Sequence, residues 1–297
     1  MGKTVALILA AGQGTRFGGD TPKQFLKLSG KPLWQRSLEA FMPFSDEIYV
    51  VTDKTHSDQI AETLLEWISA PSWNAEGKKP YLFVTTGGES RAESVLSGLR
   101  YVKEISEREP DRALPEVVLI HDTAHCLVTA EIISACLTEA RRSGAAIAAV
   151  PMTDTVKTAV LPTAETVKTA AALPAGSAEE APQERVGGTS FPTILDTPDR
   201  RTLYKAQTPQ GFSYKLILEA YEEAENAGAL HALTDDASAV ERFAEHRISL
   251  TPGSSENLKI TDPTDLAFAE MILRIRQRRK LFTERKKSLP PGKTLRK

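Results

Sequence analysis

Short apolar runs alternate with segments of helical period along the first half of the chain, and this alternation constrains the fold more than any other feature. The runs are Val5–Ala10, Glu47–Thr52, Tyr81–Thr85, Val117–His121 and Ala146–Pro151. Such short, uninterrupted runs read as strands covered on both faces, as in a parallel sheet. Between them, apolar residues at helical spacing predict helices over Leu33–Phe41, Gln59–Ile68, Ala92–Ile105 and Ala130–Ser143, with Pro32 suited to a first helical position. A strand–helix–strand series requires right-handed crossovers and a mostly parallel sheet. Further on, Tyr214–Ala227 reads as a helix, Arg247–Thr251 as a strand and Pro263–Lys280 as a closing helix. The expected fold class is α/β, a Rossmann-like sheet with helices on both faces.

The 297 residues suffice for one large domain or two small ones. Residues 158–192 break the alternation; they are rich in Ala, Pro, Thr, Glu and Gly. The string DTVKTA at Asp154 is followed by ETVKTA at Glu165, which reads as a local duplication in an exposed arm. A single domain over 1–273 is expected, with an arm and insert at about 154–198. The stretch 274–297 is expected to form a basic helix end and a tail frayed around Pro290–Pro291.

A formal net charge of -2 gives no whole-molecule case for nucleic acid or an anionic membrane as partner. Cys126 and Cys136 are the only cysteines, too few for a disulfide framework, and no zinc-ligand spacing is present. A reducing, cytoplasmic setting fits. The first strand begins almost at Met1, so no signal peptide is expected, and no apolar run reaches the ~18 residues of a membrane span.

The first strand runs into Gly12–Gln13–Gly14, a loop that also carries Arg16 and, further on, Lys23. Backbone N–H groups at the carboxyl edge of a parallel sheet favour an anion. The glycine spacing fits neither a P-loop nor a dinucleotide fingerprint. Arg16 offers a planar fork and Lys23 a mobile point charge, a combination suited to a triphosphate attacked at its α-phosphorus. Asp122, at the end of a strand, is placed to contact a ligand, whereas His121 is expected to pack. Asp235–Asp236 reads either as a metal pair or, preferred, as a helix start. Cys126 has no base at motif spacing and is not expected to act as a nucleophile.

The string AAGQGTRFGGDTPKQFLKLSGKPL resembles the opening signature of sugar- and polyol-phosphate nucleotidyltransferases. Its PKQ variant is most similar to the 2-C-methyl-D-erythritol 4-phosphate cytidylyltransferase family. GGESRAESVLSGL, HDTAH, PMTDTVK, DRRTLYKAQTPQGF, TDDASAVE and NLKIT follow in the family's order. The resemblance implies a nucleotide-diphospho-sugar transferase type of fold with a protruding arm, and a homodimer in which that arm reaches the neighbour's site. It implies transfer of CMP from CTP to 2-C-methyl-D-erythritol 4-phosphate in isoprenoid precursor synthesis, with Mg2+ bound mainly through CTP phosphates. Arg16, Lys23 and Lys259 would be catalytic. Ala10, Ala11, Gly12, Gly14, Gly88, Glu89, Ser94, Asp122 and Thr123 would hold the nucleotide. Asp122, His125, Thr155, Arg200 and Thr208 would bind the acceptor, with Thr155 and Arg200 acting in trans.

Two departures stand out. The family reads HDAARP where this chain reads HDTAHC, so His125 replaces an arginine. An imidazole is shorter and, with an ordinary pKa near 6.5, mostly neutral at neutral pH. That leaves open another polyol phosphate, such as ribitol 5-phosphate, or a nucleotide-binding protein without turnover. In the duplicated arm, Thr166 competes with Thr155 for the family's threonine position, and Thr155, nearer the fifth strand, is preferred.

Overall fold

The computed structural model describes residues 2–12, 21–73, 79–109, 112–161 and 191–287. Gly14, Arg16 and Thr166 lie outside the described residues. The chain divides into two compact units, Met1–Val150 with Ala206–Lys297, and Pro151–Lys205.

The larger unit follows the predicted alternation. Strand β1 (Thr4–Ala10) leads through the two-residue pieces β2 (Lys27–Leu28) and β3 (Lys31–Pro32) into α1 (Leu33–Phe41). Then come β4 (Glu47–Thr52), α2 (Ser57–Ser69), β5 (Tyr81–Thr86), α3 (Arg91–Arg108), β6 (Val117–Asp122), α4 (Ala130–Ser143) and β7 (Ala145–Pro151). Pro32 sits just before α1 as its N-cap residue rather than inside it. Gly144, at φ 86°, closes α4 in the left-handed conformation that glycine adopts without steric penalty.

The smaller unit contains the paired strands β8 (Thr158–Val160) and β9 (Thr193–Asp196), antiparallel to each other. The chain then forms β10 (Tyr204–Ser213), α5 (Tyr214–Asn226), α6 (Asp236–Phe243), β11 (Ser249–Pro252) and α7 (Pro263–Lys287). The main sheet has seven strands in the order β11-β7-β10-β6-β1-β4-β5. β1 runs parallel to both β4 and β6, while β10 runs antiparallel to β6.

Sequence periodicity did not disclose β10. Its buried Gln207, Thr208 and Gln210, with Pro209 and Gly211 between and beside them, leave no apolar pattern. α6 was legible only as a helix start, and α7 continues to Lys287, beyond the expected Lys280.

Both sheet faces are covered. Leu7, Tyr49, Val118 and Phe212 pack with Val95, Leu99, Ile217, Tyr221 and Val240 of α3, α5 and α6. On the other face, Ala6, Ile8, Ile48 and Leu119 pack with Leu38, Ile60 and Ile133 of α1, α2 and α4. Double-sided burial explains why the strands read as continuous apolar runs. A smaller cluster joins Leu28, Leu33, Cys126, Leu127 and Ile260 to Ala269 of α7.

Candidate active site

The carboxyl ends of β1, β4 and β6 face a cavity of about 400 Å3. Its wall includes Ala11, Gly12, Lys23, Gly88, Glu89, Ser94, Asp122, Thr123 and Lys259, all singled out from the sequence. Ala10 is buried at the end of β1, between the lining residues Leu9 and Ala11. A Cβ at Gly12 would meet nothing within 4 Å among the described residues. At Gly88 a Cβ would stand 2.4 Å from Cβ of Glu93, so only glycine fits against the start of α3. That start is capped reciprocally: the Ser90 hydroxyl accepts from the Glu93 N–H, and the Glu93 carboxylate accepts from the Ser90 N–H. Some of the expected nucleotide contacts are also tied into the scaffold. The Ser94 hydroxyl donates to the Ser90 carbonyl at 2.9 Å, and the Thr123 hydroxyl to the Leu9 carbonyl at 2.9 Å.

A second cavity, of about 270 Å3, is lined by His125, Gln207, Thr208, Gln210, Thr234 and Asp235, among others. Arg91, Asp122 and Lys259 line both cavities and form the wall between them. Asp122 is the centre of that wall. Its Oδ1 accepts from Arg91 Nε at 2.9 Å, and its Oδ2 from Lys259 Nζ at 2.9 Å. Burial alone would raise its pKa. The charges of Arg91, Lys259 and His125 overcome burial and hold the carboxyl well below the usual range.

β10 explains how distant segments meet here. Gln207 donates to the carbonyls of Ser254 and Asn257, and Asn257 Nδ2 donates to the Thr208 carbonyl, which seats the segment carrying Lys259. The Ile260 N–H donates to the Ala124 carbonyl at 2.9 Å and closes the same segment onto the turn that follows β6. Gln210 accepts from the N–H groups of Asp236 and Ala237 and donates to Asp235, docking the start of α6. Buried polar side chains thus act as clamps, as they must when desolvated.

Thr208 joins the two histidines. Its hydroxyl oxygen accepts from the Asp122 N–H at 3.2 Å and lies 3.0 Å from Nδ1 of both His121 and His125. A hydroxyl has one hydrogen, so it donates to one imidazole and accepts an N–H from the other. His121 is fully buried, with its ring 4.7 Å from that of Phe41, and its pKa is pushed down to about 3, chiefly by burial. It packs rather than reacts. Burial likewise pushes the Cys126 thiol up to about 12, so it remains a thiol at neutral pH. Asp235 caps α6 through the Ser238 N–H, the helix-start role read from the sequence.

Thr155 and Arg200 belong to the smaller unit. Both are exposed, and Arg200 Nη1 donates to the Thr153 carbonyl at 3.1 Å.

Sequence reasoning missed Arg91, Gln24 and Thr234. Arg91 stands inside GGESRAESVL but reads there as an ordinary charge at a helix start. Gln24 follows Lys23 directly. It is buried on the wall of the larger cavity, and its amide nitrogen has no partner among the described residues.

No group of three or more His, Cys, Asp or Glu side chains suited to a metal occurs among the described residues. Both oxygens of Asp122 are already engaged by cations. These residues therefore fit a divalent ion carried on ligand phosphates better than one caged by protein. A wider groove along α4 and β11 has Glu131 and Glu139 as its charged residues, which would repel a polyphosphate. Among the described residues no helix is long and apolar enough to cross a membrane.

A mostly parallel sheet with cations gathered between two cavities at its carboxyl edge defines a nucleotidyltransferase. The family model for IspD, 2-C-methyl-D-erythritol 4-phosphate cytidylyltransferase, matches residues 4–171 and 159–275, and the chain belongs to that family. The Caldanaerobacter subterraneus 2-C-methyl-D-erythritol 4-phosphate cytidylyltransferase is 36% identical over 91% of this chain and 98% of its own length. A bifunctional IspD/IspF enzyme of Rhodopseudomonas palustris is 34% identical over 90% of this chain, which spans only 55% of that relative. The crystal structure of the Francisella tularensis 2-C-methyl-D-erythritol 4-phosphate cytidylyltransferase superposes with a TM-score of 0.60 at 26% identity, covering 91% of this chain and 99% of the other.

Proposed function

We propose that this chain transfers CMP from CTP to 2-C-methyl-D-erythritol 4-phosphate, giving CDP-methylerythritol and pyrophosphate for isoprenoid precursor synthesis. The observation that carries this reading is the charged wall of Arg91, Asp122 and Lys259 shared by the two cavities. CTP occupies the larger cavity, against Ala11, Gly12, Gly88, Glu89, Ser94 and Thr123, and the acceptor occupies the smaller, against His125 and Thr208. The acceptor's phosphate oxygen attacks the α-phosphorus, and the bond to the leaving pyrophosphate breaks. A phosphate is ionised at neutral pH, so no strong base is required; positioning and charge neutralisation supply the rate. Lys259 stands at the transferring group and Lys23 at the triphosphate, and Arg16 is assigned to the triphosphate from its motif position. Mg2+, held on the phosphates, would add Lewis-acid neutralisation of the leaving group.

The reading extends to a homodimer joined through the arm, with Thr155 and Arg200 serving the neighbour's site. It is supported by Val160, Ile194 and Leu195, apolar residues that β8 and β9 leave exposed. A cytoplasmic setting accords with Cys126 and Cys136, both buried and free.

His125 favours one alternative, the same chemistry on ribitol 5-phosphate. Pyrophosphate release measured with CTP and each acceptor decides. Turnover with methylerythritol phosphate is expected. Turnover with ribitol phosphate alone would replace the acceptor, and tight CTP binding without release for either would leave a binding protein.

A further inference from the structure

Arg91 is the first residue of α3, and three hydrogen bonds hold its guanidinium. Nη1 and Nη2 donate to the two oxygens of Asp236 at 2.9 and 2.7 Å, while Nε donates to Asp122 Oδ1 at 2.9 Å. Asp236 is fully buried, accepts the Tyr221 hydroxyl at 2.6 Å, and has its own N–H fixed by Gln210. The other oxygen of Asp122 holds Lys259. An unbroken line therefore runs from Tyr221 in α5, through Asp236, Arg91 and Asp122, to the ammonium between the cavities.

The geometry of this line is directional. A fork-on-fork pair fixes the plane of the guanidinium, which a lysine cannot reproduce. The plane sets where the Nε–H points. That N–H fixes the roll of the Asp122 carboxylate, and the roll aims Oδ2 at Lys259. Two cations and two carboxylates make up this line, so its charges balance within it and the Lys259 ammonium is held by the geometry of its partners.

We propose that Arg91, locked by Asp236, is a positioning residue that orients Asp122 and thereby sets where the Lys259 ammonium waits between the two cavities. The kinetic part of the test rests on the proposed transfer reaction; the structural part does not.

The test uses the full chain with Arg91→Lys and Asp236→Asn. The second variant keeps the shape of the buried partner but places an amide where Arg91 donates, and it carries the test if the first folds poorly. In crystal structures of the variants, the Lys259–Asp122 pair should open beyond about 3.5 Å, the limit of a hydrogen bond. Turnover per CTP-binding site should fall about 100-fold in Arg91→Lys, the usual consequence of an ångström-scale misplacement, with KM for CTP changed less than about threefold. Normalising to CTP sites removes any loss due only to unfolded protein. The proposal is overturned if Lys259 stays at Asp122 in both variants, or if normalised turnover remains within about twofold of wild type. Should the wild type release no pyrophosphate with any acceptor, the transfer reaction is refuted, and the crystal structures still decide the role of Arg91.

Discussion

The rim of the sheet around Asp122 and the arm strands β8 and β9 follow opposite rules. At the rim, charged and polar groups are buried and paired: Asp236 is fully buried against Arg91, and Gln207, Thr208 and Gln210 are each spent on clamping another segment. In the arm, Val160, Ile194 and Leu195 are exposed, and polar contacts are local, such as Lys157 Nζ donating to the Thr197 hydroxyl. The rim spends most of its polar groups on partners within the one chain and presents ready-made cations. The described strands of the arm leave these apolar groups exposed, the opposite of the rim's buried polar pairs.

The comparison can be broken most severely at the rim. Lys259→Ala or Lys23→Ala should cut turnover by about 100- to 1,000-fold, the usual loss on removing one preorganised group from a developing charge. Steady-state pyrophosphate release measures this, and near-wild-type kinetics in both variants would dismantle the site. His125→Arg sharpens the picture of the smaller cavity. It should lower the acceptor KM about tenfold or more, as expected for one charged hydrogen bond of about 1.5–3 kcal/mol. A KM for CTP that shifts equally would place His125 in the wrong cavity.

The arm should respond differently. Ile194→Asp should weaken the proposed dimer at least tenfold, about 1.4 kcal/mol, while leaving the far-ultraviolet circular dichroism unchanged. Sedimentation equilibrium reads the shift, and an unaltered association constant would remove the arm from the interface.

A last effect, on stability alone, is a pH dependence confined to the rim. The folded chain refuses the proton on His121 down to about pH 3, whereas an unfolded imidazole takes it up near 6.5. Between those values the unfolded state binds more protons, so stability falls as pH drops, by at most about 1.4 kcal/mol per unit. Urea midpoints near pH 7 and pH 5 test this. The slope should flatten in His121→Gln, and an unchanged slope would assign the effect elsewhere.

Much of this was legible in the residue order. α4 begins and ends where its periodicity says, and β1 differs from its apolar run by one residue. Lys23, Gly88, Asp122 and Lys259 were each singled out, and the structure gathers them on one cavity wall. β10 was not legible, because its burial is polar and interrupted, and periodicity detects only apolar burial. Arg91 was not legible as a functional group either, since its partner Asp236 lies 145 residues away.

Local chemistry by itself determined the strands with continuous apolar runs, most of the helices, the glycine at position 88 and the kinds of charge at the sheet's edge. Those depend on neighbours within a few residues, where period, capping and steric fit act. Only the tertiary structure decided which charges share a wall, which histidine is buried neutral, and which arginine aims the carboxylate. Pairing energies depend on distance and desolvation, and neither exists until the chain has closed on itself.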